Sequence, residues 1–297
     1  MGKFLVVCLL LFVEAAAVAN TQSAEPNYCY QLAACLMFQN EAEHLKEWIE
    51  YHRLIGFEHF YLFNNRSTDD YKKVLKPYIK KKIVELFDAP DKSNNQPEYL
   101  RIQISIYRAA LAMAYNKVKW LAFIDADEYI VPLQTDSLLE ALKEYEGHGG
   151  IYINWLNFGT SQVEKIPKNA LLVEMLTHCA DSPMRLGKSI VRVERVKKCT
   201  DPHRLFYTPP YTHVNSNHQV FGWRCPIAED KLLIFHYYTG DIDHLKNIKF
   251  PRRKKWADLD FESYVNGLDH LNARLNTTME RFIPKLRNRV FSKRNLH

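Results

Sequence analysis

The chain has 297 residues, 47% of them hydrophobic and 25% charged, with a formal net charge of +6. This composition excludes a disordered chain and supplies a sizeable core for one large domain or two small ones.

The chain begins Met1-Gly2-Lys3, followed by an apolar run over 4–13, then Glu14 and an Ala17-Val18-Ala19 ending. A charged start, a short apolar stretch and small terminal residues predict a signal peptide over 1–19. That places the protein in the secretory pathway: a Golgi-like lumen in a eukaryote, the envelope or exterior in a bacterium. An uncleaved anchor would make it membrane-associated, although the run falls short of the ~20 residues of a spanning helix. A leader also argues against nucleic acid as a partner.

After the leader, strand and helix patterns alternate. Residues 31–38 form a continuous apolar run, as expected of a buried parallel strand. Asn40-Glu41 opens a helix carrying Leu45, Trp48, Ile49 and His52, which stops near Gly56. A second strand spans 59–63, a helix 69–78 with Ser67 or Thr68 as cap, and a third strand 82–87. A longer helix covers 97–117, and a fourth strand over 120–124 ends at Asp125. This alternation predicts an α/β fold with a mainly parallel central sheet and flanking helices. In such sheets ligands gather at the carboxyl ends of the strands, so Asn40, Asn64 and Asp125 are expected on one rim. The second half is less regular, with strands predicted over 149–155, 173–177, 189–193 and 232–238, and helices after Asp241. One domain over 28–245 with a basic helical extension over 246–297 is the simplest organisation.

Of six cysteines, Cys8 lies in the leader. Cys29, Cys35, Cys179, Cys199 and Cys225 remain, an odd set, with Cys179–Cys199 the first bridge expected. No Cys-x-x-Cys pair exists, which argues against a finger-type zinc site. Two sequons, Asn65-Arg66-Ser67 and Asn276-Thr277-Thr278, permit N-glycosylation in a secretory compartment.

The strongest chemical signal is Phe123-Ile124-Asp125-Ala126-Asp127-Glu128. Two carboxylates one residue apart, at the mouth of an apolar strand, cannot both stay buried and charged without a cation. Mg²⁺ or Mn²⁺ on oxygen ligands is the usual partner, and a nucleotide diphosphate supplies further oxygens. Two chemistries use such a pair. Phosphatases of the haloacid dehalogenase kind use the first Asp as nucleophile near the first strand, with a small residue where this chain has Tyr129. Glycosyltransferases of the GT-A fold place the pair after about the fourth strand, as here. A glycan-binding module that keeps the fold without turnover is a third reading.

The chain resembles glycosyltransferase family 92, a GT-A group related to the large family 2. The matching blocks run in order from about 32 to 256. They are Cys35-Leu36-Met37-Phe38-Gln39-Asn40-Glu41 with Trp48, Glu50, Tyr51 and His52; the Asn64-Asn65-Arg66-Ser67-Thr68-Asp69 loop; Trp120 through Pro132; Trp155-Leu156-Asn157-Phe158-Gly159-Thr160-Ser161; Lys188-Ser189-Ile190-Val191 with His203; and His236-Tyr237-Tyr238. The sequence departs from the family's pattern at Gln162, Phe235 and Gly240-Asp241.

The resemblance implies a sugar transferred from a nucleotide-sugar donor, UDP-linked, to a glycan or glycoconjugate acceptor. Asn40 and Glu41 fall where the family holds uracil and ribose, and Asn64 and Asp69 on the adjacent nucleotide loop. Asp127 is expected to coordinate the metal, Asp125 to bind metal or ribose, and His236 to complete the coordination. An imidazole ligand suits Mn²⁺ better than Mg²⁺. Lys188 and the basic run over 252–255 are expected to neutralise diphosphate. Galactosyltransferases of the family invert the anomeric carbon, which requires a carboxylate to take the acceptor proton. Asp181 is the preferred candidate, with Glu229 and Asp230 behind it.

Overall fold

The structure, a computed structural model, describes residues 27–255 and 257–292. The expected leader over 1–19 lies outside the described residues. The first half contains β1 (Tyr30–Phe38), α1 (Ala42–Leu54), β2 (His59–Asn64), α2 (Tyr71–Lys80), β3 (Val84–Asp88), α3 (Gln96–Ala114) and β4 (Val118–Phe123). These strands pair in the order β3-β2-β1-β4, all parallel. Local chemistry sets the boundaries. Asn95 caps α3, its side chain accepting from the Glu98 amide at 2.9 Å, and Pro97 occupies the first turn. The chain leaves α1 through Gly56 at φ +119°, a region that glycine enters without strain. The expected cap of α2 is different: Asp70 takes that place without a side-chain bond, because Ser67 and Thr68 are engaged elsewhere.

The second half contains β5 (Glu128–Pro132), α4 (Leu138–Leu142), β6 (Gly150–Asn157), α5 (Leu172–Met175), β7 (His178–Cys179), β8 (Gly187–Arg192), β9 (Val196–Cys199), β10 (Leu205–Tyr207), β11 (His213–Asn215) and β12 (Leu232–His236). After them come α6 (Ile242–His244), a π-helical turn (Leu245–Lys249), α7 (Phe250–Lys254), α8 (Phe261–Asn266), β13 (Arg274–Leu275) and α9 (Ile283–Phe291). Strand β8 lies antiparallel between β4 and β6 and joins the halves into one nine-stranded sheet, continuing β8-β6-β12-β5. The predicted α/β class holds, with antiparallel β8 and β5 set into a mainly parallel sheet.

Side chains alternate across this sheet. In β1, Leu32, Ala34, Leu36 and Phe38 enter one apolar layer with Trp48, while Ala33, Cys35 and Met37 enter the other with Tyr107. The layers explain a correction. Cys179 belongs to the first and Cys199 to the second, so the sheet separates them, and both are free thiols. The strand expected over 173–177 is instead the single turn α5. Its first amides, Leu172 and Val173, bond the buried carboxylate of Glu47 on α1 at 2.8 and 3.0 Å. The last described residues pack back onto the body: β13 pairs with β7, and Phe282 sets its ring edge-on to Tyr51 of α1 at 5.5 Å. Asn65 of the first sequon is buried, its amide donating to the carbonyls of Ala89 and Asp91, so that site is closed in the fold. Among the described residues no helix is long and apolar enough to cross a membrane.

Candidate active site

Strands β1 and β4 pair with Cys35 beside Phe123, so their carboxyl ends open on one rim. Past β4 the chain turns through Asp125-Ala126-Asp127 and reverses into β5. Two contacts close that turn. The Glu128 carboxylate accepts from the Asp125 amide at 2.9 Å, and the indole N–H of Trp48 donates to the carbonyls of Asp125 and Glu128 at 3.1 and 2.9 Å. Strand β12 then delivers the late histidine: His236 lies opposite Glu128 of β5 and Asn157 of β6, and the Tyr237 amide bonds the Asp127 carbonyl at 2.8 Å.

The two aspartates have separate fates. Asp125 accepts from Gln103 Nε2 at 3.2 Å and from Lys188 Nζ at 2.7 Å. Lys188 is only 2% exposed and also stands 3.9 Å from the fully buried Glu128. Burial alone would lower the pKa of Lys188, but Asp125 and Glu128 outweigh it and raise the ammonium well above its ordinary value. Burial pushes the Glu128 carboxyl well up, against the pull of Lys188. Lys188 is therefore a counter-ion beneath the turn and not, as expected, part of the cavity wall.

Asp127 faces the cavity. Its Oδ2 meets the Lys249 ammonium and lies 3.5 Å from His236 Nε2. Burial pushes this carboxyl up, but Lys249, and His236 when its ring is protonated, hold it well below the usual carboxylate range. His236 Nδ1 sits 3.1 Å from Asn157 Oδ1, an acceptor; in the neutral ring this contact keeps the proton on Nδ1 and turns the Nε2 lone pair towards Asp127. Two lone pairs facing each other across 3.5 Å form a donor set that a divalent cation fits. Among the described residues no three His, Cys, Asp or Glu side chains converge as a metal site. Of the three expected ligands, Asp127 and His236 meet, while Asp125 is turned to Lys188.

A cavity of about 720 Å³ opens over this wall. Glu41, Asp125, Asp127 and His236 line it together with Lys249, Arg252, Arg253 and Lys255, with Arg66 and Lys92 towards the ends of β2 and β3. Burial pushes Glu41 up to about 7, against the pull of Lys249. The other predicted nucleotide residues have internal tasks. Asn40, at φ +57°, accepts from the Thr68 amide at 2.8 Å, and Asp69 accepts from the Ala42 amide at 2.7 Å, so they clasp two loops together. Asn64 donates to Tyr71 and Asp88 and accepts from the Ser67 amide. None of the three lines the cavity. Asp181 is exposed and outside that wall, its carbonyl accepting from Arg274 at 3.1 Å; Glu229 and Asp230 are exposed loop residues. Sequence reasoning missed Lys249, Tyr99 and Tyr264, which line the cavity, and Gln103, which holds Asp125. Lys249 lies just ahead of the basic run and could have been counted with it, whereas Gln103 carries no local signal.

The family model for glycosyltransferase family 92 matches residues 30–262. A glycosyltransferase family 92 protein of Ricinus communis is 23% identical over 241 residues, 80% of this chain and 40% of that protein. One of Oryza sativa subsp. japonica is 29% identical over 171 residues, 55% of this chain and 27% of that protein. The chain thus spans less than half the length of these relatives. Among solved structures, S. aureus TarS matches at 14% identity and a TM-score of 0.39, covering 89% of this chain and 44% of that one. Glucosyl-3-phosphoglycerate synthase from Mycobacterium tuberculosis matches at 14% identity and a TM-score of 0.31, covering 56% and 57%. At these scores the likeness carries no argument about the site. With most of its length matched by one family model, the chain belongs to glycosyltransferase family 92.

Proposed function

We propose that this chain transfers a sugar from a UDP-linked donor to a glycan acceptor in a secretory compartment. One observation carries the reading: Asp127 and His236 share one cavity with Lys249, Arg252, Arg253 and Lys255. A cavity that holds both a donor set suited to a cation and several cationic side chains matches a ligand whose phosphates bind both. The volume, about 720 Å³, falls in the ordinary range for small-molecule sites. Asp127 and His236 would hold a divalent cation, Mn²⁺ in preference to Mg²⁺, and that ion would offset the charge growing on the leaving diphosphate.

The chain's own residues supply the rest. Lys249, Arg252 and Arg253 neutralise phosphate oxygens, and Glu41 offers an acceptor to ribose hydroxyls. Trp155, whose ring lies 4.8 Å from that of His236, walls the sugar side. Galactose as the sugar, moved with inversion, is part of the proposal and follows the family resemblance. A phosphatase reading fits less well, because both oxygens of Asp125 are already bonded, to Gln103 and Lys188.

The test incubates the full chain with a panel of nucleotide sugars, with MnCl₂ or a chelator, and measures nucleotide release. One donor should turn over, dependent on Mn²⁺, and Asp127→Asn should lower the rate by about 10²–10³, the scale of losing one transition-state electrostatic contact. Labelled phosphate trapped on Asp125, or glycan binding with no donor turnover under any condition, would refute the reading.

A further inference from the structure

The ammonium of Lys249 stands where the donor set calls for a cation. It contacts the same Asp127 oxygen that lies 3.5 Å from His236 Nε2. The pair is half-sheltered, with the side chains of Lys249 and Asp127 16% and 21% exposed. Lys249 closes the π-helical turn Leu245–Lys249, a rare geometry often found at functional sites, and α7 follows without a break.

The segment bearing Lys249 is lightly held. Between Leu245 and Leu271 no described residue is buried. Its hold on the body is polar and aromatic: Lys249 on Asp127, Arg252 donating to the Gln39 carbonyl at 3.4 Å, and Arg253 over the Tyr238 ring at 5.6 Å. Within it, the Phe250 ring packs on Phe261 at 5.1 Å and on Tyr264 at 5.7 Å. Stretches with so little buried apolar surface open at low free energy.

We propose that Lys249 is an exchangeable counter-ion: it yields Asp127 to a divalent cation only when a diphosphate is present to receive its ammonium. The inference rests on the proposed nucleotide-sugar reading and deepens it. Two cations compete for one carboxylate oxygen, and like charges this close repel. Metal arriving alone must displace Lys249 into solvent. Metal arriving with a diphosphate gives Lys249 a new anionic partner across the same cavity. Lys249 therefore couples the two ligands, and the segment over 245–271 changes its hold on the body when they bind together.

The test follows free Mn²⁺ by its electron paramagnetic resonance signal, on the full chain, Lys249→Met and Lys249→Arg, with and without UDP. Lys249→Met should bind Mn²⁺ alone about tenfold tighter than the natural chain, about 1.4 kcal/mol. Lys249→Arg, which keeps the charge, should stay as weak as the natural chain. UDP should raise Mn²⁺ affinity more in the natural chain than in Lys249→Met. Adding Asp127→Asn to Lys249→Met should remove the gained site. In the unmodified protein, amide exchange over 245–271 should change with Mn²⁺ plus UDP and not with Mn²⁺ alone. Equal Mn²⁺ affinity in the natural chain and Lys249→Met, with Asp127→Asn weakening both, would overturn the exchange while leaving Asp127 as a metal ligand. Absence of Mn²⁺ binding in every protein, with and without UDP, would remove both readings.

Discussion

Lys188→Met tests the electrostatics beneath the turn. The ammonium stands 2.7 Å from Asp125 and 3.9 Å from Glu128. At an effective dielectric of about 20, a full ion pair at these separations is worth about 6 and about 4 kcal/mol before desolvation. Desolvating Lys188 offsets much of that, and Asp125, 30% exposed, keeps some water. Removing one member of a buried pair leaves the other unpaired, and the expected net loss is about 3–5 kcal/mol. The sign of the pH dependence follows from linkage. Burial already raises Glu128 above its unfolded value, and losing the ammonium that pulls it down raises it further. A raised carboxyl contributes stability below its unfolded pKa, about 4.5, and loses it as pH climbs. The deficit of Lys188→Met against the natural chain should therefore grow as pH climbs through the raised Glu128 pKa. Urea unfolding reads this directly: with a slope of about 3 kcal/mol/M, a loss of 3 kcal/mol moves the midpoint by about 1 M. A deficit below about 0.5 kcal/mol at pH 8, the size of an ordinary surface change, would sink the argument.

Two further outcomes follow from the packing. A Cβ at Gly187 would sit 1.9 Å from the Ile153 carbonyl oxygen, backbone that cannot move aside, so Gly187→Ala should cost about 1–3 kcal/mol or more. A melt reads this as about 2–4 °C per kcal/mol, and an unchanged Tm would contradict the β6–β8 register. His52 is buried beneath Trp48, with a pKa lowered to about 3 by burial. A depressed histidine contributes stability above its unfolded pKa of about 6.5 and loses it as pH falls, about 3 kcal/mol by pH 4.5. His52→Gln should flatten that acid limb in urea titrations, and an equally steep limb would place the acid sensitivity elsewhere.

The first four strands were legible because each is a short, mainly apolar segment bounded by helix signals, and the rim carrying Asp125 followed from their order. Strand β5 was not, since Glu128 to Pro132 begins inside the motif read as a site. The apolar stretch at Leu172 fits strand or helix by pattern, and the deciding group, Glu47, is remote in sequence. Two carboxylates one residue apart, Asp125 and Asp127, call for compensating positive charge, and their spacing does not say whether a metal or a side chain supplies it. In this structure Lys188 and Lys249 each answer for one carboxylate. Asn40 and Asp69 were read as ligands because polar residues at strand ends serve either a substrate or the loops themselves, and here they serve the loops. Asp181 shows that a need for a base does not locate one.

Glu47 and Trp48 are neighbours on α1, yet one holds the start of α5 and the other the Asp-x-Asp turn. The helix thus works as a gauge block, fixing the separation of the two loops. Transplanting the acidic turn into another scaffold would need this helix with it, indole and carboxylate together, or the loops would lose their common reference.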